Sequence, residues 1–275
     1  MVSEDFTAPH RAVVSFVRRN TRLSPKLQQA WETNSDHFLL HIPTDKSRKE
    51  LSVNPSFQLD EDTQKEVWGE VKPLIIEVGS GQGENIAAAA ANNPDKNFLA
   101  VEVFDQGIAH TLLRCEHQHL ENLRIAQVDA VQLFETAIQP QSCEEVWTYF
   151  PDPWPKMKHH KRRIIQPSFA HLIAQSLVSH GIWRIATDID DYALHIHEVL
   201  DNDPDFMNIG TKEVSLAIEH VGKGNAETAQ LLPHAIFTES ERFDGRVLTS
   251  FENKGLLAGH TVHDLTYVVR GDQNE

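Results

Sequence analysis

Residues 150–163, FPDPWPKMKHHKRR, concentrate the side chains best suited to chemistry. An apolar, aromatic run that reads as a buried strand (Val146, Trp147, Tyr149, Phe150) breaks on Pro151, Pro153 and Pro155. These prolines cannot donate to a sheet ladder and stiffen the turn. Asp152 sits between two of them. Trp154 follows, then Lys156, Lys158, Lys161, Arg162 and Arg163, with His159 and His160 among them. One carboxylate, one aromatic and a block of cations on a rigid turn suit a site that holds a polyanion and one flat polar group. The bland alternative is a stiff loop leading into a solvated basic helix, because basic runs are commonly solvated faces.

A second constellation lies upstream. In IIEVGSGQGE, Gly79, Gly81 and Gly83 follow an apolar strand and open an alanine-rich helix. Such glycines allow a tight turn and close approach of backbone to a ligand. Glu102 ends the next apolar run, NFLAVEVF, where it is placed to accept both hydroxyls of a ribose. An acid at that place also serves dinucleotide enzymes. Here, however, the glycine spacing is G-x-G-x-G, and Glu77 lies two residues before the first glycine. That acid would crowd a pyrophosphate but suits the cationic amino acid end of S-adenosylmethionine. The alternative is a strand-to-helix turn and nothing more. Asp129, ending the run LRIAQVDA, either accepts from an adenine amino group or caps the helix that follows. Asp188 ends a further run, GIWRIATD.

The elements that must position these groups alternate. Apolar strands are expected in PLIIEV, NFLAVEVF, LRIAQVDA, EVWTYF and GIWRIATD. Helices are expected over ENIAAAAANN, 106–119, VQLFETAI, 167–179 and DDYALHIHEVL. Such alternation implies a parallel sheet covered on both faces. In an open sheet of this kind, ligands sit beyond the carboxyl ends of the strands. A last strand over 264–269 would add one antiparallel member. Residues 1–60 read as a basic arm and a short helix capped at Ser24 with Pro25 at its first position. HFLLHIP reads as a short strand or an apolar plug, and 43–56 as a loop. Residues 61–275 form the main domain, in which 201–245 is an acidic, poorly periodic surface insertion of loops and short elements.

Composition narrows the class. A chain of 275 residues with 40% hydrophobic content fits one globular core with embellishments. No apolar run approaches the roughly 20 residues of a membrane helix, and the N-terminus has no export-signal order. Cys115 and Cys143 are too few for a disulfide framework. The expected location is the cytoplasm. A formal net charge of -15 argues against binding nucleic acid through the overall field. Placement matters more: residues 150–163 hold five Lys/Arg against one Asp, and Arg18, Arg19, Arg22 and Lys26 cluster in the arm. His159 and His160 lack partners at metal-site spacing, and His195 and His197 do not share a helical face, so no metal is expected. Oligomeric state is open, with a monomer preferred.

From about residue 15 to residue 270 the chain resembles the bacterial tRNA (guanine-N7-)-methyltransferase family. The likeness rests on SFVRRNTRLSPKLQQAW, IIEVGSGQGE, FLAVEVF, the FPDPWPK…HHKRR block, ATDIDDYA and TSFENKG…GH…DL. It implies a Rossmann-like, doubly wound α/β sheet of seven strands, mostly parallel with one antiparallel. It implies S-adenosyl-L-methionine as methyl donor and a guanine in the tRNA variable loop as acceptor. Carried over by position, it implies that Glu77, Gly79, Gly81, Gly83, Glu102, Asp129 and Asp152 hold the cofactor, with Asp152 catalytic. Lys156, Asp188, Thr249, Ser250, Phe251 and Glu252 fall on guanine-binding positions. Lys158, His159, His160, Lys161, Arg162 and Arg163 fall on an RNA-contacting segment. Trp154 or Phe251 would stack on the base. Met157 and Ser250 stand where basic residues are common in the family, and Ile189 replaces a frequent tryptophan.

The residues also allow two other readings. A nicotinamide dehydrogenase would also use a glycine loop and an acid after the second strand; Glu77 and the glycine spacing speak against it. A non-catalytic RNA-binding protein would keep the basic block but has no need of acids at successive strand ends.

Overall fold

The computed structural model describes residues 15–16, 22–45, 51–221 and 231–271. A seven-stranded sheet carries the molecule. Its strands are β1 (Leu74–Val78), β2 (Asn97–Val101), β3 (Leu123–Ala126), β4 (Cys143–Tyr149), β5 (Leu177–Thr187), β6 (Phe206–Asn208) and β9 (His263–Val269). They lie in the order β3-β2-β1-β4-β5-β9-β6. β9 runs antiparallel to both neighbours, and the other pairings are parallel. The expected sheet is therefore present, with its single antiparallel strand. The order reverses between β1 and β4, which places a ligand crevice at their carboxyl ends.

Alternation along β1 assigns its side chains to two cores. Leu74, Ile76 and Val78 join a cluster with Leu99, Val146, Trp183 and Ile185. Helices α5 (Ala130–Thr136), α6 (Pro167–Ser176) and α7 (Asp190–Leu200) cover that side through Leu133, Phe169 and Ile196. Ile75 points the other way, to Phe98, Ile125 and Trp147. There α3 (Glu84–Asn92) and α4 (Asp105–Gln118) close the layer with Ile86, Ile108 and Leu112. A period of two puts Glu77 on this second face with Ile75.

The N-terminal helix α1 (Pro25–Phe38) begins as expected, with Pro25 in its first turn and the Ser24 side chain accepting from the Leu27 amide. Its buried Phe38 joins the α3–α4 core. HFLLHIP is neither a free strand nor a plug: the helix runs through Phe38, and Leu40 N–H donates to Ile125 O, extending the β3 edge. A short helix, α2 (Glu61–Trp68), precedes β1.

Two expectations need correction. The helix predicted over 167–179 stops at Ser176, and β5 starts at Leu177. Leu177 pairs with Cys143 while Ile182 pairs with Glu145, so the chain bulges between them. His180 turns through φ 61 in that bulge. Leu177 enters the same core as Phe169 and Ile173 of α6, so its apolar spacing suits the end of a helix and the start of a strand equally. The acidic insertion is also more integrated than predicted. Phe206 of β6 is buried, 5.6 Å from Trp183, so part of that segment is the edge of the main sheet. The remainder includes a separate antiparallel pair, β7 (Lys212–Ala217) and β8 (His234–Glu239).

A charged seam ties that pair to the sheet. His263 on β9 lies 2.7 Å from Glu239 Oε1 and 3.0 Å from Asp190 Oδ1. Those carboxylates outweigh the effect of burial and raise its pKa to about 9. His197 of α7 faces the same Glu239, and Asp190 also feels His260. The folded value lies above the unfolded one, near 6.5. The stabilisation is therefore complete below about pH 6.5 and lost as pH rises toward 9. Chemical denaturation should show a fall in stability between pH 7 and 9 that is absent in His263→Gln.

Candidate functional site

The crevice at the strand ends is floored by the glycine loop. Gly79, Gly81 and Gly83 have φ of 74°, 56° and 69°. These left-handed values disfavour any residue with a Cβ. Gly79 and Ser80 amides both donate to Val101 O, which ties the loop to the end of β2. A Cβ built on Gly79 or Gly81 would meet nothing within 4 Å, so the loop leaves room above these two residues.

The acids that sequence spacing singled out come together here. β1 pairs with β2 on one side and β4 on the other, and β4 with β5. Glu102, the glycine loop, Asp152 and Asp188 therefore stand in a row at adjacent strand ends. Glu102 Oε2 accepts from Gly81 N–H at 2.7 Å, and Oε1 accepts from Val103 and Phe104 N–H at 2.7 and 2.9 Å. Burial nevertheless raises its pKa, the amides oppose this, and the negative charge of Asp152 adds to the rise. The two carboxylates thus share one field.

Glu77 is 4% exposed. Asn85, in the first turn of α3, donates to its Oε2 at 3.4 Å. Burial raises its pKa to about 8, with the Glu102 charge contributing and Arg246 opposing. A buried acid held largely protonated near neutrality is poised to meet a cation.

Other buried polar atoms at the site lack partners among the described residues: Ser80 Oγ, Tyr149 Oη, and Arg246 Nε and Nη1. The Arg246 guanidinium lies 5.2 Å from the Tyr149 ring centre and 5.3 Å from that of Phe150. Its Nη2 donates to Asp264 at 2.8 Å and pairs with Glu252 at 3.2 Å. Orphaned donors and acceptors beside a neutral acid fit a zwitterionic ligand group. Nothing in the sequence pattern marked Arg246; it stands in an aperiodic stretch and reaches the site only through the fold.

Asp129 sits where α5 begins, and its side chain accepts from Val131 N–H at 3.0 Å. The capping alternative is thus realised, whatever else the carboxylate contacts. Asp152 is exposed, on a turn whose neighbours Phe150 and Trp154 have φ of 51° and 43°.

The segment carrying Thr249, Ser250, Phe251 and Glu252 begins α8 (Ser250–Leu257). Thr249 caps it by accepting from Glu252 N–H. Ser250 donates through N and Oγ to the Glu84 carboxylate at 2.7 Å each, fastening α8 to the helix that follows the glycine loop. Glu252 is 2% exposed and engages Arg242 and Arg246, so its carboxylate shapes the site from behind. Phe251 is 56% exposed, its ring 5.3 Å from Phe150, which makes it an open stacking platform. Trp154 is not equivalent. Arg162 covers its ring at 3.6 Å, and its Nε1 donates to Ser15 O. Asp188 Oδ2 lies 2.8 Å from His260 Nδ1.

The basic block forms a 3₁₀ helix, Met157–Arg162. Lys156, Lys158 and Lys161 are exposed, His159 and Arg162 half-buried. Arg163 corrects the sequence reading. Its side chain is fully buried and ion-paired with Asp191. It also donates to Pro153 O at 3.0 Å and Asp191 O at 3.1 Å. It therefore locks the proline turn onto α7 and does not face a polymer. His160 is likewise turned inward, against Arg163 and Asp191. Arg18 and Arg19 of the arm lie outside the described residues.

The chain is similar to known proteins over most of its length. A family model described as "Putative methyltransferase" matches residues 71–265. The chain is 54% identical, over 94% of its length and 89% of the relative's, to a tRNA (guanine-N(7)-)-methyltransferase of Bifidobacterium longum subsp. infantis. Proteins of the same name from Paenarthrobacter aurescens and Halorhodospira halophila are 40% and 36% identical over 92% and 95% of this chain, and 90% and 97% of their own.

Proposed function

The chain belongs to the tRNA (guanine-N(7)-)-methyltransferase family, and from that premise we propose that it methylates N7 of a guanine in the variable loop of tRNA. The observation that carries the reading is the row of carboxylates, Glu77, Glu102 and Asp152, on adjacent strand ends around an open glycine loop. A dinucleotide would place pyrophosphate where Glu77 stands. The residues fit S-adenosyl-L-methionine instead: Glu77 for its ammonium group, the unpartnered Arg246 donors nearby for its carboxylate, and Glu102 for its ribose. When bound, that donor supplies an electrophilic methyl group on a sulfonium.

Guanine N7 already has a lone pair, so the protein need remove no proton. Displacement forms the N7–C bond as the C–S bond breaks, with its electron pair passing to sulfur. The protein's task is alignment. Phe251 offers an apolar face for the base. Asp188, held by His260, accepts from the guanine N1–H and exocyclic amine, which rejects adenine. Asp152 faces the positive charge that develops on the purine. Lys156, Lys158 and Lys161 hold the phosphate backbone beside the turn. Among the described residues no helix is long and apolar enough to cross a membrane; a tRNA substrate favours the cytoplasm as the location of the reaction. Incubating the protein with unmodified tRNA and methyl-labelled donor should put label on guanine N7. Label at another atom, or none with folded protein, overturns the reading.

Three expectations follow. Glu77, with a pKa of about 8 before binding, ionises against the donor's ammonium. Donor binding at pH 7 should release about one proton, and affinity should rise with pH toward about 8 and fall again as the donor's own ammonium deprotonates. Calorimetry in buffers of differing ionisation enthalpy measures this. Separately, Lys161→Ala should weaken tRNA binding and lower its salt slope by about one, leaving stability unchanged. Arg163→Ala should instead destabilise the protein by about 1.5–3 kcal/mol, because Asp191 loses its guanidinium partner and keeps only its contacts with His160, His220 and the Val221 N–H. Salt-dependent binding and thermal melts separate the two.

A further inference from the structure

Three histidines distant in sequence converge behind the basic block. His160 comes from the 3₁₀ helix, His195 from α7 and His220 from the stretch after β7. The ring centre of His220 is 5.0 Å from that of His160 and 6.3 Å from that of His195. Two carboxylates of α7 close the group. His220 Nδ1 lies 2.9 Å from Asp191 Oδ1, and its Nε2 lies 2.9 Å from Glu198 Oε2. Consecutive-residue spacing cannot reveal such a cluster, because α7, the 3₁₀ helix and the insertion meet only in the fold.

Two sets of three ligating atoms lie within 4.8 Å of one another: His160, Asp191 and His220, and His195, Glu198 and His220. They are not equivalent. In the first, Arg163 already donates to Asp191, and its Nη2 is 3.1 Å from His160 Nε2. A dication there would displace a buried guanidinium. In the second, each imidazole is oriented from behind. His195 Nε2 lies 2.7 Å from Ile165 O, so that nitrogen carries the proton and Nδ1 the lone pair. Asp191 accepts from His220 Nδ1, which directs Nε2 toward Glu198. Histidine ligands are commonly held in this way by a carbonyl or carboxylate on the far nitrogen. His195 and Glu198 stand three residues apart on one helix, hence on one face.

We propose that His195, Glu198 and His220 bind a divalent transition-metal ion of the zinc class, which fastens the segment after β7 to α7. Two imidazoles and a carboxylate make a three-ligand set, and the half-exposed Glu198 leaves the fourth tetrahedral position to water. The ion is structural. Asp191 links His220 to Arg163, and Arg163 donates to Pro153 O, so the site braces from behind the turn that presents Asp152. The methyl transfer uses no step at this ion.

The test takes the full chain, stripped with a chelator and titrated with Co²⁺ alone. One equivalent should give the visible absorption of a tetrahedral site, and one equivalent of Zn²⁺ should remove it and raise the melting temperature. His195→Gln, His220→Gln and Glu198→Gln should each weaken binding at least tenfold, whereas His171→Gln, a change at an exposed histidine on α6, should not. Circular dichroism checks each fold, and Glu198→Gln, the most exposed and most nearly isosteric change, serves if the histidine variants unfold. No saturable band in the parent protein, or a band that survives Glu198→Gln unchanged, overturns the proposal and leaves direct hydrogen bonds from His220 to its two carboxylates as the whole of the cluster.

Discussion

Asp152→Asn should lower the methyl-transfer rate at saturating donor and tRNA by roughly 10²–10³-fold, the usual cost of removing one group aimed at developing charge. The substitution keeps shape and removes charge. The turn is fixed by its prolines and by Arg163 on Pro153 O, so the backbone has no reason to move. The Asp152 side chain is exposed, and stability should stay within about 0.5 kcal/mol of the parent. A second readout separates catalysis from binding. Loss of the Asp152 charge also removes a negative neighbour from Glu102, which lowers the Glu102 pKa and leaves it more fully ionised. Donor affinity should therefore hold while the rate falls. A rate within threefold of the parent would remove Asp152 from the reaction, and an equal fall in rate and donor affinity would make it a binding residue.

The parts of this site legible in sequence are those built from local chain. Gly79, Gly81 and Gly83 must turn left-handed between a strand and a helix, and only glycine does so without strain. Glu102 and Asp152 end apolar runs, and the alternation of strands and helices then puts those ends on one edge. Arg163 was not legible. It closes a basic run whose other cations are exposed, and its burial depends on Asp191, 28 residues on. Glu252 shows the same limit: a polar residue at a position expected to bind substrate proves to be 2% exposed because Arg242 and Arg246 close over it. Trp154 and Phe251 are interchangeable as candidates by residue type, and only the Arg162 guanidinium over one of them separates the two. β6 has only three residues, too few to show the periodicity of a strand.

Gly107→Ala should cost the protein its donor affinity, although local propensity points the other way. Gly107 lies inside α4, where alanine is favoured over glycine by about 1 kcal/mol. Packing reverses the sign. A Cβ on Gly107 would stand 2.4 Å from Gly81 O, 3.1 Å from Gly81 C and 3.3 Å from Glu102 Cγ. Backbone cannot rotate out of the way as a side-chain tip can, so either α4 lifts off the sheet or the glycine loop shifts. α4 is anchored by Ile108, Leu112 and Cys115, all fully buried, which leaves the loop as the softer part. Moving Gly81 breaks its N–H bond to Glu102 and tilts both the floor of the crevice and the acid proposed to serve the ribose. Overpacking of this kind costs about 1–3 kcal/mol, enough to offset the helix gain and lower the melting temperature by a few degrees. The dissociation constant for S-adenosylhomocysteine should rise at least about tenfold, equivalent to about 1.4 kcal/mol. Calorimetry with that ligand, beside a thermal melt, decides the matter. A variant that melts higher and binds as the parent does would show that α4 and the loop are free to separate, and that the geometry of the crevice does not depend on their contact.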